Sequence, residues 1–281
     1  MALAITTNLS SINAQKQLMK STNALGKTFE RLSSGLRINR SADDAAGLSI
    51  SNRMTAQVRG TTQAIRNTND AISLVQVAEG ALSETTSALQ RIRELTVQAA
   101  NDTNRASDRT DMQREITQLL SEIDRISNTT TFNKIGLLSG TYSTGKKFQV
   151  GPDGAQTIQM SIRAARTVAL FSGAAGVGSI NVSITNTAGS FNKLLSRIDS
   201  ALDSVSDIRA RLGAYQNRFE AVIANLSNMV ENTSTARSRI LDADIAAETA
   251  NLTKHSILQQ AGTAILAQAN QQPQIALKLL Q

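Results

Sequence analysis

The sequence predicts a mainly α protein: a long antiparallel helical bundle or coiled-coil rod, its N- and C-terminal helices paired, with a small β-hairpin region. Three observations carry that prediction. Ile198, Leu202, Val205, Ile208, Leu212, Tyr215, Phe219, Val222, Leu226 and Met229 recur at gaps of three and four residues. This spacing persists for about five heptads and marks one apolar seam along one long helix. Hydrophobic residues make up 41% of the chain but aromatics only 3%, with no Trp and two Pro in 281 residues. Aromatic rings normally supply much of a compact core, whereas Ala, Leu and Ile with almost no proline suit thin bundles of long helices. Finally, the helical period fades over residues 136–190, where Gly, Ser, Thr and Val dominate.

Residues 1–35 read as one helix, with Asn8 as N-cap and Ser33-Ser34-Gly35 as its interruption. Its stripe is Ile5, Leu9, Ile12, Met19, Leu25, Phe29, Leu32 and Leu36. The polar stretch from Leu36 to Leu48 reads as a joint. Helix resumes from Ser49 to Ala99, with Val75, Ala78, Leu82, Leu89 and Ile92 on its seam. Asn101 to Arg109 lacks a strong apolar position and reads as a loop. A helix from Asp111 to Asn128, with Ile116, Leu119, Ile123 and Ile126 on one side, should return antiparallel to the one before. Lys147–Val150 and Thr157–Ile162 alternate on either side of Gly151-Pro152-Asp153-Gly154, which predicts a β-hairpin. Gly173–Ser179 reads as a flexible crossover and Asn181–Thr185 as a short strand. After the long seam, helix runs from Asp242 to the end with Ile245, Leu252, Leu258, Ile265 and Leu266, weakened by Gly262 and Pro273. Narrow seams in Gln/Asn/Ala-rich arms bury too little to hold an isolated pair firmly. The arms are therefore expected to order only when several copies pack together. The packing residues are Ile5, Leu9, Ile12, Leu25, Phe29, Leu32, Ile245, Leu252, Leu258 and Ile265.

The chemistry available is sparse. There is no cysteine, so no disulfide, thiolate metal site or cysteine nucleophile. The one histidine, His255, has no second histidine for a zinc site and reads as a solvent-facing or subunit-contact residue. Asp43-Asp44 and Asp242/Asp244 read as helix caps and inter-helix ion pairs. The glycines at 173–178 lack the Lys-Ser/Thr of a phosphate loop and read as linker. No catalytic residue, metal or cofactor is assigned. The net charge is +7, and residues 1–60 hold eight Lys/Arg against three Asp/Glu. These cations are spaced singly rather than gathered into the patch of a nucleic-acid reader. No apolar run reaches the length of a membrane span. Met1–Asn8 lacks a basic segment followed by an apolar block, so export without a cleavable signal peptide is expected.

Several separate motifs then carry a resemblance. Leu32-Ser33-Ser34-Gly35-Leu36-Arg37-Ile38-Asn39 with Asp43-Asp44-Ala45-Ala46-Gly47-Leu48-Ser49-Ile50 resembles the N-terminal signature of bacterial flagellin. Gln90–Ala99, Phe132-Asn133, Ser238–Ala246 and Ala269-Asn270-Gln271 extend it in the same order. The resemblance covers residues 1–170 and 190–281, most of the chain, as a minimal form without large outer domains. It implies an inner terminal coiled-coil domain of 1–45 with 241–281 and a rod domain of 46–170 with 191–240. Residues 171–190 would be a short crossover in place of outer domains. The function implied is that of a structural subunit, self-assembling outside the cell into the flagellar filament for motility. Implied partners are further copies, the flagellar type III export apparatus, a secretion chaperone, the filament cap and the hook-associated junction proteins. Toll-like receptor 5 is also implied, at a surface of Arg91, Leu95 and Glu115, where a helix facing its arginines to water is the ordinary alternative. A hook–filament junction protein and a basic coiled-coil nucleic-acid binder are the competing functions. The His-Glu-x-x-His pattern of a peptidase insert is absent.

Overall fold

A computed structural model describes residues 7–171 and 188–279. Ile5, the crossover at 173–179 and the strand expected at 181–185 lie outside the described residues. In order, the elements are α1 (Leu9–Ser34), α2 (Ala45–Ala99), α3 (Ala106–Thr129), β1 (Thr131–Phe132), β2 (Ile135–Gly136), β3 (Lys146–Gln149), β4 (Thr157–Met160), α4 (Thr167–Leu170), α5 (Ala188–Leu241) and α6 (Ile245–Leu279). The chain divides into two compact units, residues 1–58 with 231–281 and residues 59–230.

In the first unit α1 starts where its sequence says it should. The Asn8 side chain accepts the Ser11 N–H at 3.1 Å, satisfying one of the donors a helix start leaves open. Gly35 ends the helix at φ +71°, a conformation that costs a side chain dearly, and donates its N–H to the Arg31 carbonyl. The joint that follows is tied down by carboxylates. Asp43 accepts the Asn39 and Arg40 N–H groups and pairs with Lys27 at 2.8 Å. Asp44 accepts the Gly47 N–H at 2.9 Å, so α2 begins at Ala45, four residues earlier than expected. Asp244 does the same for α6, accepting the N–H groups of Ala246 and Ala247. The two connections run side by side: Arg37 N–H donates to Leu241 O at 2.7 Å, and Ala243 N–H to Gly35 O at 2.9 Å.

The second unit is built from the later part of α2, α3, most of α5 and the two strand pairs. Arg93 meets Asp199 at 2.8 Å and Arg209 meets Glu79 at 3.5 Å, which sets α5 antiparallel to α2. The seams predicted from spacing are buried: Val75, Ala78, Leu82, Leu89 and Ile92 on α2, Ile116 and Ile123 on α3, and Ile198, Val205, Ile208, Leu212 and Phe219 on α5. Each such fully buried aliphatic or aromatic side chain contributes about 1.5–3 kcal/mol against conformational entropy. α3 starts at Ala106, inside the segment read as loop, because Asp108 turns back to accept the Arg105 N–H at 3.0 Å. The acidic side chain replaces an apolar signal there, so hydrophobic spacing could not show it.

The expected hairpin forms with Lys146 opposite Met160 and Gln149 opposite Thr157. Ile158 and Met160 point into the core while Thr157 and Gln159 face out, the period of two that spacing required. Three contacts seat it on the helices. Phe148 meets Phe219 edge-on with centroids 6.0 Å apart, and Asn67 Nδ2 donates to Gln149 O at 3.2 Å. Gly60 provides the third, since a Cβ there would stand 3.0 Å from the Pro152 Cβ. β1–β2 and α4 were not foreseen. The first is a two-residue turn with Asn133 and Lys134 at φ +50° and +63°, the second a single turn whose Thr167 N–H and hydroxyl both donate to Asp124.

Candidate assembly surface

The terminal pair α1·α6 holds most of the residues singled out from sequence. Its register is fixed by polar contacts. Asn8 Nδ2 donates to Ala269 O at 2.7 Å, Ser11 pairs with Asn270 at 2.7 Å, and Ser21 Oγ donates to His255 O at 3.2 Å. Arg31 and Glu248 close the far end at 2.9 Å, with Glu248 buried. On α1 the covered positions include Ser11, Ala14, Leu18, Ser21, Leu25, Thr28 and Leu32, three and four residues apart. On α6 they are Glu248, Leu252, His255, Gln259, Gly262, Leu266 and Ala269, again at three and four. Leu18 lies against Gly262, where a Cβ would come within 3.3 Å of it. Both sides form a heptad seam, but one made chiefly of small and polar residues.

The larger apolar side chains lie elsewhere. Leu9, Ile12, Met19 and Phe29 are 67%, 51%, 68% and 64% exposed on α1, the first three away from the covered positions and Phe29 at their flank. Ile245, Ile257, Leu258 and Ile265 are likewise exposed on α6. The stripe read as one seam is therefore two. Leu25, Leu32 and Leu252 are half-buried in the pairing, whereas Leu9, Ile12, Phe29, Ile245, Leu258 and Ile265 remain open. Ile257 joins the open set and was missed, although it neighbours Leu258. Of the two readings of His255, the structure removes the solvent-facing one, since it is half-buried in the α1·α6 seam. The register puts it opposite Ser21, and its buried Nδ1 has no hydrogen-bond partner among the described residues.

The surface around Arg91 is different in kind. Arg91 donates to Glu115 across the α2–α3 pair at 3.0 Å and to Glu94 at 3.1 Å. These two carboxylates, Glu115 first, raise the guanidinium's pKa above the ordinary arginine value. Beside it runs an open groove of about 480 Å³, lined by Glu84, Ser87, Ala88, Leu119, Glu122, Arg125 and Ile126 as well as Arg91. Leu95 does not share this exposed face. It is 2% exposed and belongs to the core, because it follows Ile92 by three residues and rotates onto the same buried side. Among the described residues there is no cluster of His, Cys, Asp and Glu able to hold a metal, and no helix long and apolar enough to cross a membrane.

Comparison with known proteins shows the family of the chain. The bacterial flagellin N-terminal helical region matches residues 5–143, and the bacterial flagellin C-terminal helical region matches residues 195–280. A flagellin of Halalkalibacterium halodurans is 45% identical over 278 residues, covering 99% of this chain and 100% of its own. The chain belongs to the bacterial flagellin family. A Bacillus subtilis flagellin is 44% identical over 303 residues, covering 99% of this chain and 100% of its own. A solved structure described as a flagellar hook-associated protein from Vibrio parahaemolyticus aligns with a TM-score of 0.59, over 71% of this chain and 100% of that one. At 14% identity that likeness shows the fold alone, so the junction-protein alternative is not favoured. The protein is thus a structural subunit of the extracellular flagellar filament, a helical homopolymer that serves motility, and not an enzyme.

Proposed function

We propose that polymerisation of this subunit is driven by the terminal helix pair, acting as an inner domain of residues 1–45 and 241–281, while residues 46–170 and 191–240 act as a rod. One observation carries the reading: the α1·α6 seam is filled with small and polar residues, while Leu9, Ile12, Phe29, Leu258 and Ile265 are left uncovered. An exposed apolar surface of that extent marks an interaction site, and in a homopolymer the cover is another copy. Because the intramolecular seam is weak, ordering of the arms and association are coupled. The loosely held arms also suit export through the flagellar type III apparatus with a secretion chaperone. Assembly would then proceed beneath the filament cap, starting from the hook-associated junction proteins.

Deletion of residues 241–281 tests the reading. The truncated chain should keep a helical rod by circular dichroism yet form no filaments by electron microscopy. Filament growth at an unchanged subunit concentration would remove the role given to the arms. For the Arg91 surface, the exposed ion pair with Glu115 favours a receptor contact in which Leu95 supports the helix from beneath. Arg91→Glu should lower activation of a Toll-like receptor 5 reporter by monomeric protein at unchanged helicity. Full activation would discard it.

A further inference from the structure

We propose that Met19 is an oxidation-sensitive control point for polymerisation, a site at which peroxide converts an assembly-competent subunit into an incompetent one. The inference rests on the terminal-arm reading above and adds a modification that acts on it. Met19 is 68% exposed on the open stripe of α1, one heptad beyond Ile12. The other methionines among the described residues are shielded. Met160 is fully buried, Met54, Met112 and Met229 are half-buried, and the Met229 sulfur also lies 4.0 Å from the Thr61 hydroxyl. A thioether must be reached by the oxidant, so susceptibility follows exposure. Among the methionines of the described residues, oxidation of the free subunit should therefore fall first on Met19.

The step balances simply. The Met19 sulfur lone pair attacks one oxygen of hydrogen peroxide, an S–O bond forms and the O–O bond breaks. The displaced oxygen leaves as water after proton transfer, sulfur losing two electrons and peroxide gaining them. The product is a sulfoxide, polar and chiral where a flexible apolar chain stood. In the free subunit this changes little, because the site is open to water. In the filament the same group has to be covered, and a buried acceptor without a partner is costly. The cost converts to a rise of about tenfold or more in the concentration needed for assembly. Once assembled, Met19 is covered by the neighbouring copy and resists oxidation, so the device acts on subunits before incorporation. Methionine sulfoxide reductases of the matching stereochemistry reverse it.

The test uses full-length subunits held below the assembly threshold, treated with hydrogen peroxide and quenched. Peptide mass spectrometry should find Met19 sulfoxide forming fastest, with unchanged circular dichroism. The assembly threshold is then measured by sedimentation before and after treatment, for the natural chain and for Met19→Leu. Whatever the starting threshold of each, treatment should raise it about tenfold in the natural chain and leave it unmoved in Met19→Leu. Preformed filaments exposed to the same peroxide should show Met19 protected. Protection in filaments together with an unmoved threshold after complete Met19 oxidation overturns this inference alone. An equal shift in Met19→Leu does the same, since another site would be responsible. Equal oxidation of Met19 in filaments and free subunits overturns the covering of the stripe, and the terminal-arm reading with it.

Discussion

Truncating Phe29 to alanine separates the two faces of α1 quantitatively. Phe29 leaves 64% of its surface in water, at the flank of the positions covered by α6. A phenylalanine can bury about 150–250 Å², so roughly 130 Å² is left for a neighbouring copy to cover. At about 25 cal/mol per Å² that amounts to about 3 kcal/mol, of which alanine retains a part, leaving a loss of about 2 kcal/mol. A loss of that size raises the critical concentration for assembly about 30-fold. Stability of the isolated subunit should change by no more than about 0.5 kcal/mol, as for other exposed positions. Sedimentation across a concentration series measures the first quantity and denaturant unfolding the second. A critical concentration within about twofold of the parent would show that no neighbour covers Phe29. A large loss of subunit stability would show instead that Phe29 belongs to the intramolecular seam.

Three further predictions concern other parts of the fold. Gly60→Val places atoms where Pro152 already stands; overpacking should lower the stability of the rod by about 1–3 kcal/mol in denaturant unfolding, and an unchanged midpoint would mean that the hairpin tip moves aside freely. Ala155 adopts φ +75°, a left-handed conformation that burdens any residue with a Cβ; Ala155→Gly should raise stability by up to about 1 kcal/mol, read as a higher thermal midpoint. Asp43 has its pKa lowered to about 2 by the Lys27 hydrogen bond first, and by the Arg40 and Asn39 N–H groups next. A lowered folded-state value means that its contribution is fully present above the ordinary value of 3.8 and is lost as pH falls through about 2. Asp43→Asn should therefore be less stable than the parent at neutral pH, with the difference vanishing in strong acid. A difference that persists at pH 1.5 would assign the effect to something other than this charge.

Much of the fold could be read from spacing alone. The α5 seam from Ile198 to Leu226, the α2 seam around Leu82 and Leu89, the Asn8 cap, the Gly35 stop and the β3–β4 hairpin stand where residue types and periods put them. These features depend on local geometry: side chains three and four apart share a helix face, alternate ones share a strand face, and caps need particular side chains. The short pieces were harder to see. The turn at Asn133-Lys134 lacks glycine at its second position, and α4 is one turn held by Asp124 from a distant helix. In the hairpin tip the left-handed residue is Ala155 rather than Gly154, because the pairing of Gln149 with Thr157 dictates where the chain must reverse.

The sequence by itself determined that long helices form, that the seams of α2 and α5 are apolar and that both termini carry apolar stripes. It could not say which half of the α1 stripe is covered within the molecule. That was decided by the register of α1 on α6, set by Asn8 with Ala269, Ser21 with His255 and Arg31 with Glu248. The register turned Leu25 and Leu32 inward and left Leu9, Ile12, Met19 and Phe29 facing out. The same kind of choice buried Leu95 beside Ile92 while Arg91 stayed in water. Periodicity constrains the angles between side chains on a helix but not the helix's rotation about its own axis, and that rotation is fixed only by what it packs against.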